Sequence, residues 1–321
     1  MDNKLNVVGV DIGGTKCAVM LAEVCGDDIK FLKKEKLKTD NNEPALSVIK
    51  KFCKIIDEFR RDVKIDAIGI SCGGPLDSKK GIIMRPPNLP MWDDIHIVDI
   101  LKERYDVPVK LQNDANACAL AEWKYGAGKG TDNMVFMTFG TGLGAGLILD
   151  GRLYTGTNDN AGEAGHVRLS ENGPVGYHKM GSFEGFCSGG GLAQLGYTLG
   201  LEAYQQGKHP AYFNPEIAPQ GINAKTIADA ADSGDETALA VYAKCGEYLG
   251  RGLSILIDIL NPQRIVLGSI FKRSSNLLWD HAKAVIDSEA LSLSASVCQV
   301  VPAELDENLG DIAAIATALY N

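Results

Sequence analysis

Apolar positions along this chain follow two rhythms. In residues 7–12 (VVGVDI) and 16–24 (KCAVMLAEV) they run nearly unbroken, which predicts buried strands; 27–39 (DDIKFLKKEKLKT) predicts a third strand with a charged face. Residues 43–62 (EPALSVIKKFCKIIDEFRRD) place Leu46, Ile49, Phe52, Ile55, Ile56 and Phe59 at helical spacing. An apolar strand, IDAIGISC, then runs into Gly73-Gly74-Pro75. HIVDILKERY predicts a helix, VPVKLQND a strand entering a polar turn, and ANACALAEWKYG a further helix. The order βββαβαβα predicts a layered α/β domain.

Residues 133–156, NMVFMTFGTGLGAGLILDGRLYTG, read as strand, glycine-rich turn, strand, tight Asp150-Gly151 turn and strand. This repeats the local design of residues 5–38, and two copies of one unit predict two related half-domains. Residues 155–190 are polar and glycine-rich with few strand or helix signals. A loop region that long in a compact protein is usually functional. Beyond it, AKTIADAADSG and ETALAVYAKCGEYLGRGLSILIDILN predict helices. RIVLGSI predicts a strand ending at Gly268, and GDIAAIATALY a short helix near the C-terminus.

With 321 residues, 45% of them hydrophobic, the chain can bury one large core or two ordinary ones. A net charge of −9 disfavours non-specific binding to nucleic acid or a membrane surface, which relies on basic patches. It leaves a local nucleotide site open. Eight cysteines are scattered with no C-x-x-C pair, which predicts buried free thiols in a reducing compartment. The start, MDNKLNVV, has no basic region before its apolar run, and no apolar stretch reaches the roughly 20 residues that span a bilayer. The expectation is a cytoplasmic protein with neither a nucleic acid nor a membrane as partner.

The glycine motifs carry the chemistry. Gly9 and Gly14 have P-loop spacing, but Thr15-Lys16 stand in the wrong order and a strand follows instead of a helix. Gly140, Gly142 and Ala145 fit G-x-G-x-x-A with Glu163 about 20 residues on, yet GLILDGRLY reads as a hairpin where a dinucleotide fold needs a helix. Either loop alone reads equally well as a plain hairpin turn. The pair points further: both combine glycine and threonine at a strand–strand turn, which offers N–H groups and a hydroxyl to an anion. Lys16 adds charge. Asp11 beside a phosphate site suits Mg²⁺ held through water, or else a bond to its own turn.

Taken together, seven motifs resemble the ROK family (repressor, open reading frame, kinase) of the hexokinase–actin ATPase superfamily. They are VDIGGTK at 10–16, GGPLD at 73–77, NDANACALAE at 113–122, FGTGLGAGLILDGRL at 139–153, GEAGH at 162–166, RIVLGS at 264–269 and GDIAAIATA at 310–318. The resemblance implies an α/β protein of two ribonuclease-H-like (actin-like ATPase) domains around an active-site cleft. Residues 1–117 with 306–321 would form the smaller domain with the first phosphate loop. Residues 118–305 would form the larger, with the second phosphate loop and the sugar-binding loops.

It further implies ATP and Mg²⁺ as ligands. Asp11, Gly13, Gly14, Thr15 and Lys16 would line one side of the nucleotide and Thr138, Gly140, Thr141 and Gly142 the other, with Gly268 at the adenosine. Phosphorylating a sugar hydroxyl needs alignment and a base. Asp114 is the expected base, although an Asp before a helix also serves as an N-cap. Asn88, Asn113, Asp114, Glu163, His166 and Glu184 are the expected sugar contacts, since polyols need carboxylates, amides and imidazoles. Glucose, phosphorylated at its 6-hydroxyl, is the first guess, and a homodimer is the family's habit.

Many ROK members are repressors with a DNA-binding domain before the DIGGTK-like loop. Ten residues precede Asp11, which favours the kinase branch over a sugar-responsive regulator or, more finely, leaves an N-acetylated amino sugar as an alternative substrate. An acyl kinase would need an anion-binding arginine, and residues 155–190 hold only Arg168, with Glu163 and Glu184 opposing a carboxylate.

One departure stands out. The family's zinc cysteines fall at Val175, Tyr177 and Ser182, while Gly181 and Glu184 stay in register. Valine cannot ligate, so no structural zinc is expected. The expected substitute is apolar packing of Tyr177, Phe183 and Phe186, with a rearranged site of His166, His178 and Cys187 as the lesser alternative.

Overall fold

The computed structural model describes residues 4–305 and 308–320; residues 306, 307 and 321, at the edges expected for the smaller domain, lie outside the described residues. The first apolar runs form an antiparallel meander of β1 (Leu5–Ile12), β2 (Lys16–Cys25) and β3 (Asp28–Lys38). Next comes α1 (Ala45–Phe59), which buries Val48, Ile49, Phe52, Ile56 and Phe59 on one stripe. Leu46, expected in that stripe, is exposed. Strand β4 (Ala67–Cys72), the two-residue β5 (Leu76–Asp77) and β6 (Ile82–Ile83), α2 (Ile97–Tyr105), β7 (Val109–Asn113) and α3 (Asp114–Tyr125) follow. β4 lies parallel to β1 and β7 parallel to β4, giving the sheet order β3-β2-β1-β4-β7.

Strands β8 (Met134–Met137), β9 (Ala145–Leu149) and β10 (Arg152–Tyr154) repeat the meander. Asp150 and Gly151, at φ of 51° and 68°, make the tight turn between β9 and β10. The chain continues through β11 (Val175–Gly176), β12 (Lys179–Met180), α4 (Phe183–Phe186), α5 (Gly189–Gln205), α6 (Ala224–Asp232) and α7 (Glu236–Leu260). It ends with β13 (Arg264–Leu267), α8 (Ile270–Glu289), α9 (Ser292–Val297), β14 (Gln299–Pro302) and α10 (Leu309–Leu319). The second sheet, β10-β9-β8-β13-β14, has the same plan as the first: an antiparallel hairpin on one side, parallel strands on the other. Two such sheets are the ribonuclease-H-like repeat that the sequence implied. No described helix is long and apolar enough to cross a membrane.

The chain divides into two compact units, Met1–Asp132 with Gly146–Ala161 and Glu304–Asn321, and Asn133–Ala145 with Gly162–Ala303. In the first, side chains alternate across β1 with period two. Val8, Val10 and Ile12 face the core beneath α1 and α2, whereas Val7 faces the cluster that includes Ala314, Ile315 and Ala318 of α10. Glycine is required where α10 crosses the sheet. A Cβ at Gly69 would fall 2.0 Å from the Ala314 carbonyl oxygen, and one at Gly9 would fall 3.1 Å from Ala314 Cβ. In the second unit, α7 packs on α4, α5, α6 and α8.

The segment leading into α10 is tied to α3 by a fully buried carboxylate. Glu122 accepts hydrogen bonds from the backbone N–H groups of Ala127 (2.8 Å), Leu305 (2.9 Å) and Glu304 (3.1 Å). Truncation would orphan these donors, and a fully buried unsatisfied donor costs about 1–3 kcal/mol, a cost that water offsets at the exposed Glu304 and in part at Ala127 and Leu305. Glu122→Ala should therefore lower unfolding free energy by about 2–4 kcal/mol, read as a lower denaturant midpoint at unchanged slope.

Candidate active site

The β1–β2 hairpin closes with Ile12 opposite Cys17 and a hydrogen bond from Gly13 N–H to the Lys16 carbonyl at 3.1 Å. Thr39, past the end of β3, props the turn. Its N–H donates to the Thr15 carbonyl at 3.1 Å and its hydroxyl to the Gly13 carbonyl at 2.6 Å. Among the described residues, no acceptor meets the N–H of Gly14 or Thr15. Two adjacent unpaired donors beside Lys16 could hold an anion. A Cβ on Gly14 would lie 2.5 Å from Asn88 Cβ, so the missing side chain admits Asn88 to the turn.

Asp11 lies two residues past Gly9 on β1, hence on the face covered by α10. There it meets Asp311, in the first turn of α10, and Asp114, the first residue of α3. Burial pushes the Asp11 carboxyl up to about 6; the Asp311 and Asp114 charges add to this, while Lys16 and Lys34 oppose it. Asp311 is itself buried and ion-paired with Lys34 of β3. Sequence reasoning missed Asp311 as a site residue. Its signal was present: the only charge in an otherwise apolar helix.

Asn113, not Asp114, caps α3: its Oδ1 accepts the Ala115 N–H at 3.0 Å. The Gln112 carboxamide oxygen holds the Asn113 N–H at 3.0 Å and is itself bonded by Asn116 at 3.2 Å. Asp114 accepts from Ala115 N–H through Oδ1 at 2.8 Å. Among the described residues, no hydrogen bond engages its Oδ2. The side chain is open to solvent, yet enough protein surrounds it for desolvation to raise the carboxyl, with the Ala115 N–H opposing. A carboxyl so placed is a ready proton acceptor. The Gly73-Gly74 turn lies alongside, a Cβ on Gly74 falling 3.1 Å from Asn113 Nδ2.

In the second unit the β8–β9 turn is closed by Thr138 and Gly144. Thr138 N–H donates to the Gly144 carbonyl and Gly144 N–H to the Thr138 hydroxyl, both at 2.9 Å. Gly140 N–H donates to the Gly142 carbonyl at 3.0 Å. Among the described residues, no acceptor meets the N–H of Thr141 or Gly142, so this tip matches the first. The turn is anchored by Gly189 N–H on the Gly140 carbonyl (2.7 Å) and Ile270 N–H on the Phe139 carbonyl (2.9 Å). Gly268 is buried and donates to the Met137 carbonyl at 2.9 Å, at the end of β8.

Glu163 precedes and His166 ends a short 3₁₀ turn, Ala164–His166, and both are exposed. Glu184 sits on α4, capped by Ser182, and its Oε2 accepts the Leu143 N–H of the β8–β9 turn at 3.0 Å. The loop that carries these residues is more ordered than its composition predicts. Gln194 of α5 bonds both the N–H and the carbonyl of Val175, at 2.8 Å each, as a strand would. Phe186 stacks on Tyr248 of α7 with centroids 3.4 Å apart, and a Cβ on Gly252 would strike the buried Phe183 ring.

Tyr177 departs from expectation. It is 67% exposed, because it and His178 form the β11–β12 turn with φ of 37° and 63°. The aromatic staple is thus Phe183 and Phe186 alone. Cys187 is buried, its thiol donating to the Cys245 carbonyl at 3.5 Å, and does not join His166 and His178. Among the described residues no group of three or more His, Cys, Asp or Glu is placed to hold a metal ion.

The two sheets of like plan, each with a glycine-rich hairpin turn, are those of the actin-like ATPase fold. The chain matches the ROK family over residues 7–320. It is 30% identical to a glucokinase of Thermotoga maritima over 312 residues, 97% of this chain and 96% of that one. The structure of a ROK family glucokinase from Streptomyces griseus, in complex with glucose and AMPPNP, is similar with a TM-score of 0.76 at 27% identity, covering 98% of this chain and 99% of that one. An N-acetylglucosamine repressor of Escherichia coli is 27% identical over 282 residues, 86% of this chain and 66% of that one. The chain belongs to the ROK family, as an ATP-dependent sugar kinase.

Two outcomes follow from the geometry. Because the folded Asp11 carboxyl sits near 6 and its ordinary value is 3.8, the native state holds the proton more tightly than the unfolded chain. Stability therefore falls as pH rises from about 4 to 6, costing about 2–3 kcal/mol at pH 7. Asp11→Asn should raise the ligand-free melting temperature at pH 7 and leave it nearly unchanged at pH 4. Separately, Phe186→Ala should cost about 3–5 kcal/mol in chemical denaturation, whereas treating the wild type with a zinc chelator should leave its melting temperature unmoved.

Proposed function

We propose that this chain phosphorylates the 6-hydroxyl of a hexose, glucose first, with ATP. Asp114 acts as general base on the attacking hydroxyl. The observation that carries this role is the capping of α3 by Asn113, which leaves Asp114 Oδ2 for a ligand. Asn88, Asn113, Glu163, His166 and Glu184 orient the sugar through paired hydrogen bonds to its hydroxyls. Gly13, Gly14, Thr15 and Lys16 bind phosphates from one turn, and Thr138, Gly140, Thr141 and Gly142 from the other, with Gly268 at the adenosine. The glucokinase relative at 30% identity supports the sugar class.

Mg²⁺ fits the oxygen donors near Asp11, since this ion is commonly held by one or two carboxylates together with substrate phosphates. Bound there through water, it would neutralise phosphate charge. The remaining work belongs to the protein: it aligns the two substrates, accepts a proton at Asp114 and keeps water from the phosphoryl group. In this reading residues 1–117 with 306–321 carry the first phosphate loop and 118–305 the second, the protein is cytoplasmic, and a homodimer follows the family's habit.

The match to an N-acetylglucosamine repressor favours a second reading, a sugar-responsive regulator without catalysis, or a kinase for an N-acetylated amino sugar. A coupled ADP-release assay over hexoses and amino sugars separates them. Turnover on one sugar, reduced about 10²–10⁴-fold in Asp114→Ala, is the expected result. Sugar binding without turnover on any sugar would mark the regulator.

A further inference from the structure

We infer that Glu184 is shared between two ligands: one carboxylate oxygen holds the phosphate turn and the other is left for the sugar, so that the two binding events are coupled. This rests on the function proposed above. The accounting of N–H groups in the β8–β9 turn carries it. Thr138, Gly140 and Gly144 donate to oxygens within the turn itself, while Leu143 donates to Glu184 Oε2 at 3.0 Å. Among the described residues, Glu184 is the only side chain from outside the turn that accepts one of its N–H groups.

The approach is close. A Cβ on Gly142 would lie 2.7 Å from Glu184 Oε2. Gly165, from GEAGH, is wedged beside it, with a Cβ there 2.1 Å from the Leu143 carbonyl and 3.3 Å from Glu184 Cβ. The root of Glu184 has little freedom, since Ser182 caps α4, Phe183 is buried and Phe186 is stacked on Tyr248. A ligand that engages this carboxylate must act on the side chain, and the side chain is bonded to the turn.

The sign of the coupling follows from charge. A carboxylate lying on a turn whose free N–H groups face an anion repels phosphate. Sugar hydroxyls donating to the second oxygen draw charge away from Oε2 and weaken that repulsion. Sugar therefore strengthens nucleotide binding at the turn, and by linkage nucleotide strengthens sugar binding by the same factor.

The test is calorimetric titration of AMPPNP into the intact protein, with and without a saturating hexose. In the wild type, the sugar should raise AMPPNP affinity by about fivefold or more. Glu184→Gln keeps an acceptor for the Leu143 N–H but removes the charge. It should bind AMPPNP more tightly than the wild type without sugar, and its sugar-induced gain should fall below about twofold. Should that variant not fold, Gly142→Ala supplies the second test, since its Cβ displaces the carboxylate and should also abolish the gain. A Glu184→Gln protein with the wild-type coupling factor overturns the inference. So does a wild type that binds both ligands independently, and in that case the kinase reading stands. A wild type that binds no hexose overturns both.

Discussion

Three carboxylates, Asp11, Asp114 and Asp311, are brought together at the end of the first sheet, where burial and like charge act on Asp11 together. This grouping exists because α10 lies directly on β1 and β4. Side chains at Gly9 or Gly69 would hold the helix off, and Asp311 would no longer reach Asp11. The buried Glu122 fixes the chain segment that leads into this helix. Tight packing of small residues and one buried carboxylate thus set a charge geometry that is unfavourable in the empty protein. Lys34 offsets part of it by pairing with Asp311. The Asp11 carboxyl is raised first by its burial and then by the charges of Asp311 and Asp114. On the proposed function, a cation close to Asp11 would offset this cost and gain affinity from it.

The second unit solves a different problem, which is to hold a polar loop still. Its answer is distributed. A glutamine side chain completes a two-residue strand, a hydroxyl caps a one-turn helix, and two phenylalanines bury themselves against α7. Each of these is the ordinary material of a core, and together they fix the backbone from which Glu184 extends. A zinc staple would fix the same backbone through thiolates.

Much of this was readable from the chain. Periodicity located the meander strands, α1, α7 and α10, because their burial patterns are simple and local. The glycine–threonine turns stood out because no plain turn needs so many special residues. Other features depend on long-range contacts and left weak traces. Helix α5 opens on three glycines, poor helix formers, and is started by Ser188 accepting the Gly191 N–H at 3.0 Å. Helix α8 has its pattern broken at Ser274, whose φ of −132° is not helical. The burial of Tyr177 was expected from its side chain, but its place at a turn was decided by backbone conformation. Asp311 could be found only by asking why a charge stands in an apolar helix.

On the proposed function, the two hairpin tips bind phosphate through the backbone more than through side chains. Gly14 and Thr15 in one, Thr141 and Gly142 in the other, present N–H groups that meet no acceptor among the described residues. Side chains then adjust these cradles: Lys16 adds positive charge to the first, while Glu184 brings negative charge to the second. The asymmetry matters. A positive group makes an anion site permanent, whereas a carboxylate that also serves another ligand makes it conditional. A kinase that must not transfer phosphate to water gains from the second kind of site, because its grip on the nucleotide then depends on the acceptor being present.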